Sequence, residues 1–167
     1  MKKIVITLLM TALLAGCSAR ETFEGISDVF DTPVMAQMQK LELTLPDEAA
    51  AAAMEEPGGG KFYFCDDYTV TVQTMEAGDL DRTLRSLTGY GKDKLDIMHT
   101  TLGGVDRIEC VWTAAGESGD QVGRALILSD GQYHYAVTVM ADAAVAGGLA
   151  GQWQSLLQSA QLVSTDP

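Results

Sequence analysis

The chain has 167 residues, 47% of them hydrophobic, and carries a formal net charge of −12 at pH 7. This size allows one domain with a substantial apolar core. The excess of acidic side chains excludes a broad electrostatic contact with nucleic acid, and it opposes adhesion of the protein body to an anionic lipid surface. The same excess also favours solubility, so it identifies no cationic partner.

The first sixteen residues have the pattern of an export signal. Lys2 and Lys3 give it a positive start, and an apolar run extends from Ile4 to Leu14. A membrane-spanning helix needs about 20 apolar residues, and this run is shorter and is closely followed by Arg20. Residues 1–16 are therefore predicted to be a cleaved signal peptide. Its removal takes away two lysines and no acids, which changes the net charge to −14.

The signal ends in Leu14-Ala15-Gly16-Cys17, which resembles the lipobox of bacterial lipoproteins. The resemblance implies that Cys17 becomes the first residue of the mature chain and carries a diacylglyceryl group with chains such as palmitate. Two acyl chains hold a protein stably at a membrane, whereas one binds marginally. The implied location is the extracytoplasmic face of the cell membrane, or the outer membrane of a two-membrane envelope, which Ser18 would permit. Simple secretion is the alternative, and it leaves Cys17 unexplained.

A tether is predicted at residues 17–40, between this anchor and a domain at 41–162, with a tail at 163–167. The tether region is acidic and polar, and Pro33 breaks any helix that its scattered apolar residues begin. About 20 fully extended residues span up to roughly 70 Å.

The predicted domain opens with a strand at Leu41–Leu45, whose three leucines share one face until Pro46 ends it. The five alanines within Asp47–Glu56 favour a helix by propensity alone. The Pro57–Gly60 run is interpreted as a connection and not as a phosphate loop, because a strand follows it instead of a helix. Two strand segments are expected within Lys61–Met75, separated by a turn at two aspartates.

A short helix is predicted from Asp79, a good N-cap, to Gly89, a typical C-terminal stop, with leucines at helical spacing. Four strands in two antiparallel pairs should follow, and Ser129-Asp130-Gly131 is the clearest hairpin signal. The expected strands are Leu95–Thr101, Val105–Ala114, Val122–Leu128 and Gln132–Met140.

A closing amphipathic helix is predicted from about Ala141, with Trp153 as its main anchor. Its apolar residues recur at steps of three and four. They are Val145, Leu149, Trp153, Leu156, Leu157 and Ala160.

Two cysteines remain once Cys17 is assigned to lipid. Cys65 and Cys110 each lie in a predicted strand, and in an exported protein they invite a disulfide worth about 4 kcal/mol in the chain-entropy model. The alternative is a pair of buried thiols that act as small hydrophobic groups, and the sequence leaves both open. Neither cysteine lies in a C-x-x-C arrangement, so thiol redox catalysis has no support.

The sequence contains no catalytic, cofactor-binding or metal-binding signature. His99 and His134 each lie on a predicted strand without partners at metal-ligand spacing, so both are interpreted as surface or hydrogen-bonded residues. Acid pairs such as Asp79 with Asp81 serve acid–base chemistry only if one member is buried.

The order of elements predicts a single α+β domain, a mainly antiparallel sheet packed by a short middle helix and a C-terminal amphipathic helix. The opening strand at residues 41–46, the Asp130-Gly131 hairpin and a final helix with Trp153 resemble the PsbP-like α/β/α domain, which recurs in small bacterial lipoproteins. The resemblance covers about residues 41–162. It implies binding, assembly or accessory roles and carries over no enzymatic residues.

Three functions remain open on these grounds. The anchor and the lack of catalytic spacing favour a non-enzymatic, membrane-anchored binding or accessory module for an envelope protein or a small ligand. The alternatives are a small extracytoplasmic hydrolase with a dispersed site and a structural envelope spacer. The first hypothesis predicts an apolar or aromatic-lined groove, or an exposed patch, without converging ionisable groups. No cofactor and no nucleic-acid partner are expected.

Overall fold

The computed structural model describes residues 20–24, 39–51, 60–116 and 119–164. Within these ranges it contains ten strands and two α-helices. The strands are β1 (Arg20–Glu24), β2 (Gln39–Thr44), β3 (Ala50–Ala51), β4 (Lys61–Phe64), β5 (Thr69–Glu76), β6 (Asp96–Leu102), β7 (Val105–Gly116), β8 (Gly119–Ser129), β9 (Tyr133–Asp142) and β10 (Gln161–Ser164). The helices are α1 (Leu80–Thr88) and α2 (Ala143–Ser159).

Seven strands form one sheet in the order β3-β4-β5-β9-β8-β7-β6, and each neighbouring pair is antiparallel. A second sheet has three strands in the order β1-β2-β10, also antiparallel. The predicted α+β class, the mainly antiparallel sheet and the single domain with two helices are confirmed.

The seven-stranded sheet carries a hydrophobic core on each face, because successive side chains of a strand point to opposite sides. On β9, Tyr135 and Val137 belong to the first core, which the leucines of β2 and the apolar face of α2 complete. Ala136 belongs to the second core, which includes Leu84 of α1. The large sheet therefore has one helix on each face.

Helix α1 has the predicted ends. The Asp79 carboxylate accepts a hydrogen bond from the Asp81 backbone N–H at 3.1 Å. Gly89 follows the helix with φ of 79°, and its N–H donates to the carbonyl of Arg85. An L-residue with a side chain adopts this φ at a cost, which explains why glycine stops the helix here.

The β8–β9 hairpin also has the predicted turn. The Asp130 carboxylate accepts hydrogen bonds from the backbone N–H groups of Gln132 and Tyr133 at 2.8 and 2.7 Å, and Gly131 has φ of 90°. An aspartate that binds the backbone of its own turn is a common device in tight connections.

The closing helix starts later than predicted, at Ala143, because β9 remains paired with β8 through Asp142. This start sets which residues face the core. Val145, expected to be buried, is 40% exposed, and Ala146 is buried instead. The prediction for Val145 is therefore wrong, while the burial of Leu149, Leu156 and Leu157, among the other predicted positions, is confirmed.

Three pairings differ from the sequence expectations. Residues 20–24, expected in the tether, form β1 along β2. Ala50–Ala51, within the alanine run, forms β3 beside β4. Residues 163 and 164, expected in the tail, belong to β10 and pair with β2. In each case partner strands decide the conformation, and a propensity or polarity pattern carries no information about them.

The signal peptide at residues 1–16 and the lipidation site Cys17 lie outside the described residues, as do residues 52–56 of the segment that contains the alanine run. Among the helices that the structure describes, none combines the length and apolar composition needed to cross a bilayer.

Candidate functional site

A groove of about 540 Å³ lies between the C-terminal half of α2 and the chain that follows β2. Its volume falls within the range of about 300–1,000 Å³ typical of small-molecule sites. Ten residues line it: Thr44, Leu45, Pro46, Asp47, Tyr68, Gly151, Gln152, Ser155, Leu156 and Ser159.

The end of β2 forms one wall of this groove. The alternation of β2 continues to Leu45, which is buried, and Pro46 then ends the strand because it lacks an N–H group. The Ala49 N–H donates to the Pro46 carbonyl at 3.0 Å and closes a turn. The turn places Asp47 on the lining of the groove.

Helix α2 forms the opposite wall, and hydrogen bonds connect it to β2. The Thr44 N–H donates to the Ser159 hydroxyl oxygen at 3.0 Å, and this hydroxyl donates to the Leu156 carbonyl at 2.7 Å. The Ser155 hydroxyl donates to the Gly151 carbonyl at 3.0 Å. Both serine hydroxyl protons are therefore already used within the protein.

The aromatic part of the lining comes from Tyr68, which is buried. Its ring meets the ring of Trp153 edge to face, with 6.2 Å between centroids and an interplanar angle of 62°, an arrangement that aromatic pairs prefer. Burial, with a contribution from nearby Cys65, raises the pKa of the Tyr68 phenol far above its usual value. Tyr68 is consequently neutral at physiological pH.

The groove carries little charge for a protein this acidic. Among the described residues that line it, Asp47 alone has a formal charge at neutral pH, and the 17 residues of α2 include no Asp, Glu, Lys or Arg. The α2 wall suits an apolar or neutral ligand, because it offers an ionic ligand no opposite charge.

The disulfide considered between Cys65 and Cys110 is not formed, and both are free thiols. Cys65 packs against the first core, whereas Cys110 is buried in the second, on the other face of the sheet. A disulfide requires Cβ atoms about 3.5–4.5 Å apart, which the intervening sheet prevents. Burial raises the pKa of both thiols, that of Cys110 to about 11. In the structure the two cysteines are separate thiols, of which Cys110 is buried and Cys65 is partly buried.

The two histidines lie apart, and the structure does not bring their imidazoles together in a metal site. His134 is 6% exposed beneath α1, and its Nδ1 is hydrogen-bonded to the Thr83 hydroxyl at 2.8 Å. Burial lowers its pKa, while the Asp130 carboxylate acts in the opposite direction. His99 lies on the exposed edge strand β6, with Nε2 3.5 Å from Asp106. Three interstrand steps of about 4.8 Å separate β6 from β9, so the two imidazoles do not form one site.

The acid pair Asp79 and Asp81 has a structural role. Asp79 caps α1, and the Asp81 carboxylate accepts hydrogen bonds from the Lys92 N–H and from Arg85 Nε, both at 2.7 Å. The hydrogen bonds from Lys92 and Arg85 lower the pKa of Asp81. Within the described ranges, no three Cys, His, Asp or Glu side chains group as metal ligands.

An ion-pair cluster that the sequence analysis did not identify lies on the α2 side of the sheet. Glu109 accepts hydrogen bonds from Arg124 at 2.7 Å and from Arg107 at 3.2 Å, and Arg107 also donates to the Leu157 carbonyl at 2.8 Å. Burial opposes ionisation of Glu109, but the two arginines outweigh it and lower its pKa. The cluster fastens the end of α2, where a cation also interacts well with the helix dipole.

The edge strand β6 presents an exposed apolar patch. Met98 is 55% exposed and Leu102 is 78% exposed, and Val111 of the adjacent strand β7 is 49% exposed. In the described part of the chain, β6 is the last strand of the sheet. An edge of this kind is suited to pairing with a further strand.

No protein-family model and no curated protein matches the chain. Among solved structures, the fold is similar to that of a Bacteroides thetaiotaomicron VPI-5482 protein determined at 1.50 Å, with a TM-score of 0.52 and 10% sequence identity. The match covers 75% of this chain and 46% of that protein, so this chain spans a little less than half of its length. At this identity the similarity concerns the fold alone.

Proposed function

We propose that this chain is an extracytoplasmic lipoprotein, anchored to a membrane through acyl chains on Cys17, that acts as a binding or accessory module and not as an enzyme. The observation that carries the proposal is the position of Cys17 directly after a charged start, an apolar run and small residues. The anchor holds the protein on the extracytoplasmic side of the cell membrane, or on the outer membrane where the envelope has two.

The binding role is supported by the groove between α2 and β2. Its described lining combines apolar and aromatic residues with neutral polar side chains and one charged residue, Asp47, and its serine hydroxyls are bonded internally. Such a groove selects a neutral ligand by shape and burial of apolar surface.

A hydrolase is less well supported. His134, one of the two histidines that could act as a general base, is buried under α1 and bonded to Thr83. A general base needs to reach its substrate within hydrogen-bond distance, and this imidazole would first require α1 to move. No observation in the described residues favours that reading over binding.

We also infer that the domain belongs to the PsbP-like α/β/α type. The arrangement of one helix on each face of an antiparallel sheet supports this inference. The resemblance implies a role in binding or assembly, and it implies no catalytic residue.

The anchor is tested by the Cys17→Ala variant. It should lose its acyl chains and move from the membrane fraction to the soluble extracytoplasmic fraction, because the acyl chains supply the stable attachment and no helix among the described residues can cross a bilayer. Cys65→Ala is the matched control and should stay in the membrane fraction. Mass spectrometry of the mature wild-type chain should find acyl groups on its first residue. Their absence, or a membrane-bound Cys17→Ala variant, contradicts the proposal.

The groove is tested by filling it. Gly151 lines the groove and has open space around its missing side chain, and Gly148 has similar space but does not line it. Gly151→Trp should abolish co-purification of any ligand from envelope extracts, as measured by mass spectrometry, and Gly148→Trp should not. An equal effect of the two variants contradicts a groove ligand.

A further inference from the structure

The proposed anchor is close in sequence to the end of β1 that pairs beside the groove. Arg20 is the first residue of β1, and Cys17 precedes it by only three residues. Three extended residues span at most about 11 Å. The antiparallel register places Arg20 opposite Thr44, and Thr44 lines the groove. A lipid on Cys17 is therefore held close to the groove.

The register of β1 and β2 also shows which end of β2 lies near the anchor. The other end of β1, Glu24, pairs with Lys40 near the start of β2. That start is connected to the β8–β9 hairpin, because the Tyr135 hydroxyl donates to the Gln39 carbonyl at 2.9 Å and to Asp130 at 3.2 Å. The anchor thus attaches at the groove end of β2 and not at the hairpin end.

Beside the groove, helix α2 offers lipid an uncharged surface, next to the single acid Asp47 of the described lining. The chain carries a net charge of −12, so most of its surface is repelled by anionic headgroups. Helix α2 has no charged residue, and it exposes small or amide side chains beside the groove, including Gly151, Gln152 and Ser155. Helix α1 on the opposite face carries Asp81, Arg82 and Arg85 and so has a small net positive charge. Charge therefore does not keep α1 from the membrane, and the preference for the α2 side rests on the short link between Cys17 and Arg20.

Resting on the proposed acylation of Cys17, we propose that the groove side of α2 and the Leu45–Asp47 segment dock on the bilayer that holds the anchor. The occupant of this surface is the lipid surface itself. The groove then opens at the level of the headgroups, and α1 faces away from the membrane. The domain lies against the bilayer instead of standing off on a long tether.

The orientation is measured on the acylated full-length mature chain in vesicles of phosphatidylcholine and phosphatidylglycerol that contain a photoreactive headgroup lipid. After illumination, crosslinked peptides are mapped by mass spectrometry. Crosslinks should concentrate on residues 143–159 and 45–47, and they should be depleted on residues 80–88. The unmodified sequence is used, so the result does not depend on the folding of a variant.

An insertion variant tests the short link. A flexible Gly-Ser segment of about 15 residues between Ala19 and Arg20 adds roughly 20 Å of mean reach. The preference of crosslinks for α2 over α1 should decrease markedly. The acylation of Cys17 and the proportion of the protein that is bound to the membrane should stay unchanged.

The outcomes separate this inference from the proposed function. An acylated chain whose crosslinks fall equally on α1 and α2, or whose preference is unchanged by the insertion, overturns the docking surface alone. A mature chain without acyl groups overturns both proposals.

Discussion

The two faces of the seven-stranded sheet are stabilised in different ways. The α2 face buries a large, almost wholly apolar core, in which Leu41, Leu43 and Leu157 are essentially inaccessible. The α1 face has a smaller core beneath a helix of nine residues, and it includes the buried polar pair His134 and Thr83. Apolar burial depends mainly on area, whereas a buried hydrogen-bonded pair depends on geometry and protonation. On the α2 face, Glu109 has a lowered pKa and stays ionised in mildly acidic solution. The second face should therefore be the more sensitive to a change from neutral to mildly acidic pH.

The largest expected effect is on the α2 face. Trp153→Ala should lower the free energy of unfolding by about 3–5 kcal/mol, because it removes a large buried ring that packs on Tyr68. Urea unfolding monitored by circular dichroism measures it. Trp153→Phe should cost less, since the indole N–H that it removes has no partner among the described residues.

Leu84→Ala, on the α1 face, should cost about 2–5 kcal/mol. A cost for Leu84→Ala clearly above that of Trp153→Ala would reverse the comparison.

A smaller effect is expected from overpacking the α1 face. A methyl group at Gly123 would clash with the Trp112 ring, so Gly123→Ala should destabilise by about 1–3 kcal/mol. Gly148→Ala is the matched control on α2, where the added methyl meets open space. This variant should stabilise by up to about 1 kcal/mol, because alanine is the better helix former. Thermal unfolding of both variants measures the difference, and shifts of the same sign would contradict the assignment.

The pH dependence of stability sharpens the comparison further. Burial lowers the pKa of His134 below its usual 6.5, so the unfolded chain binds the proton more tightly than the folded one. The contribution of neutral His134 is complete above pH 6.5 and is lost as the pH falls from there toward the folded pKa. Urea unfolding across this interval should show stability decreasing with acidity.

The matching control is His134→Gln, which should flatten this part of the profile. His99→Gln should leave it in place, because the His99 side chain is 58% exposed. An unchanged slope in His134→Gln would show that other groups cause the acid sensitivity.

The smallest effect concerns thiol reactivity and leaves stability unchanged. In the native protein, an alkylating reagent should label the partly buried Cys65 slowly and Cys110 hardly at all, because Cys110 is 2% exposed and burial raises its thiol pKa to about 11. After unfolding without reductant, mass spectrometry should find both labelled. Protection of both under these conditions would mean that a disulfide forms after all.

Local rules predicted the elements whose ends are encoded nearby. Helix α1 has its cap at Asp79 and its stop at Gly89, and the β8–β9 hairpin has Asp130 and Gly131 at its turn. In each case the backbone groups are satisfied by residues within a few positions. The alternation of Leu41–Leu45 likewise sufficed to predict a half-buried strand.

The groove could be predicted only in outline. Its walls come from Thr44 and Ser159, which are 115 positions apart and meet through a hydrogen bond. The absence of charge along α2 was visible beforehand, but its exposed side could not be assigned until the end of β9 set the phase of the helix. The same uncertainty led to the wrong assignment of Val145.

The sequence alone determined the strand alternation, the helix caps and the tight turns, because each depends on neighbours along the chain. It also carried the export pattern that ends at Cys17, on which the proposed anchor rests. Only the tertiary structure decided that Cys65 and Cys110 lie on opposite faces and that β1 and β10 flank β2. Those outcomes depend on which distant strands pair, and pairing energy arises from long-range packing that no local pattern contains.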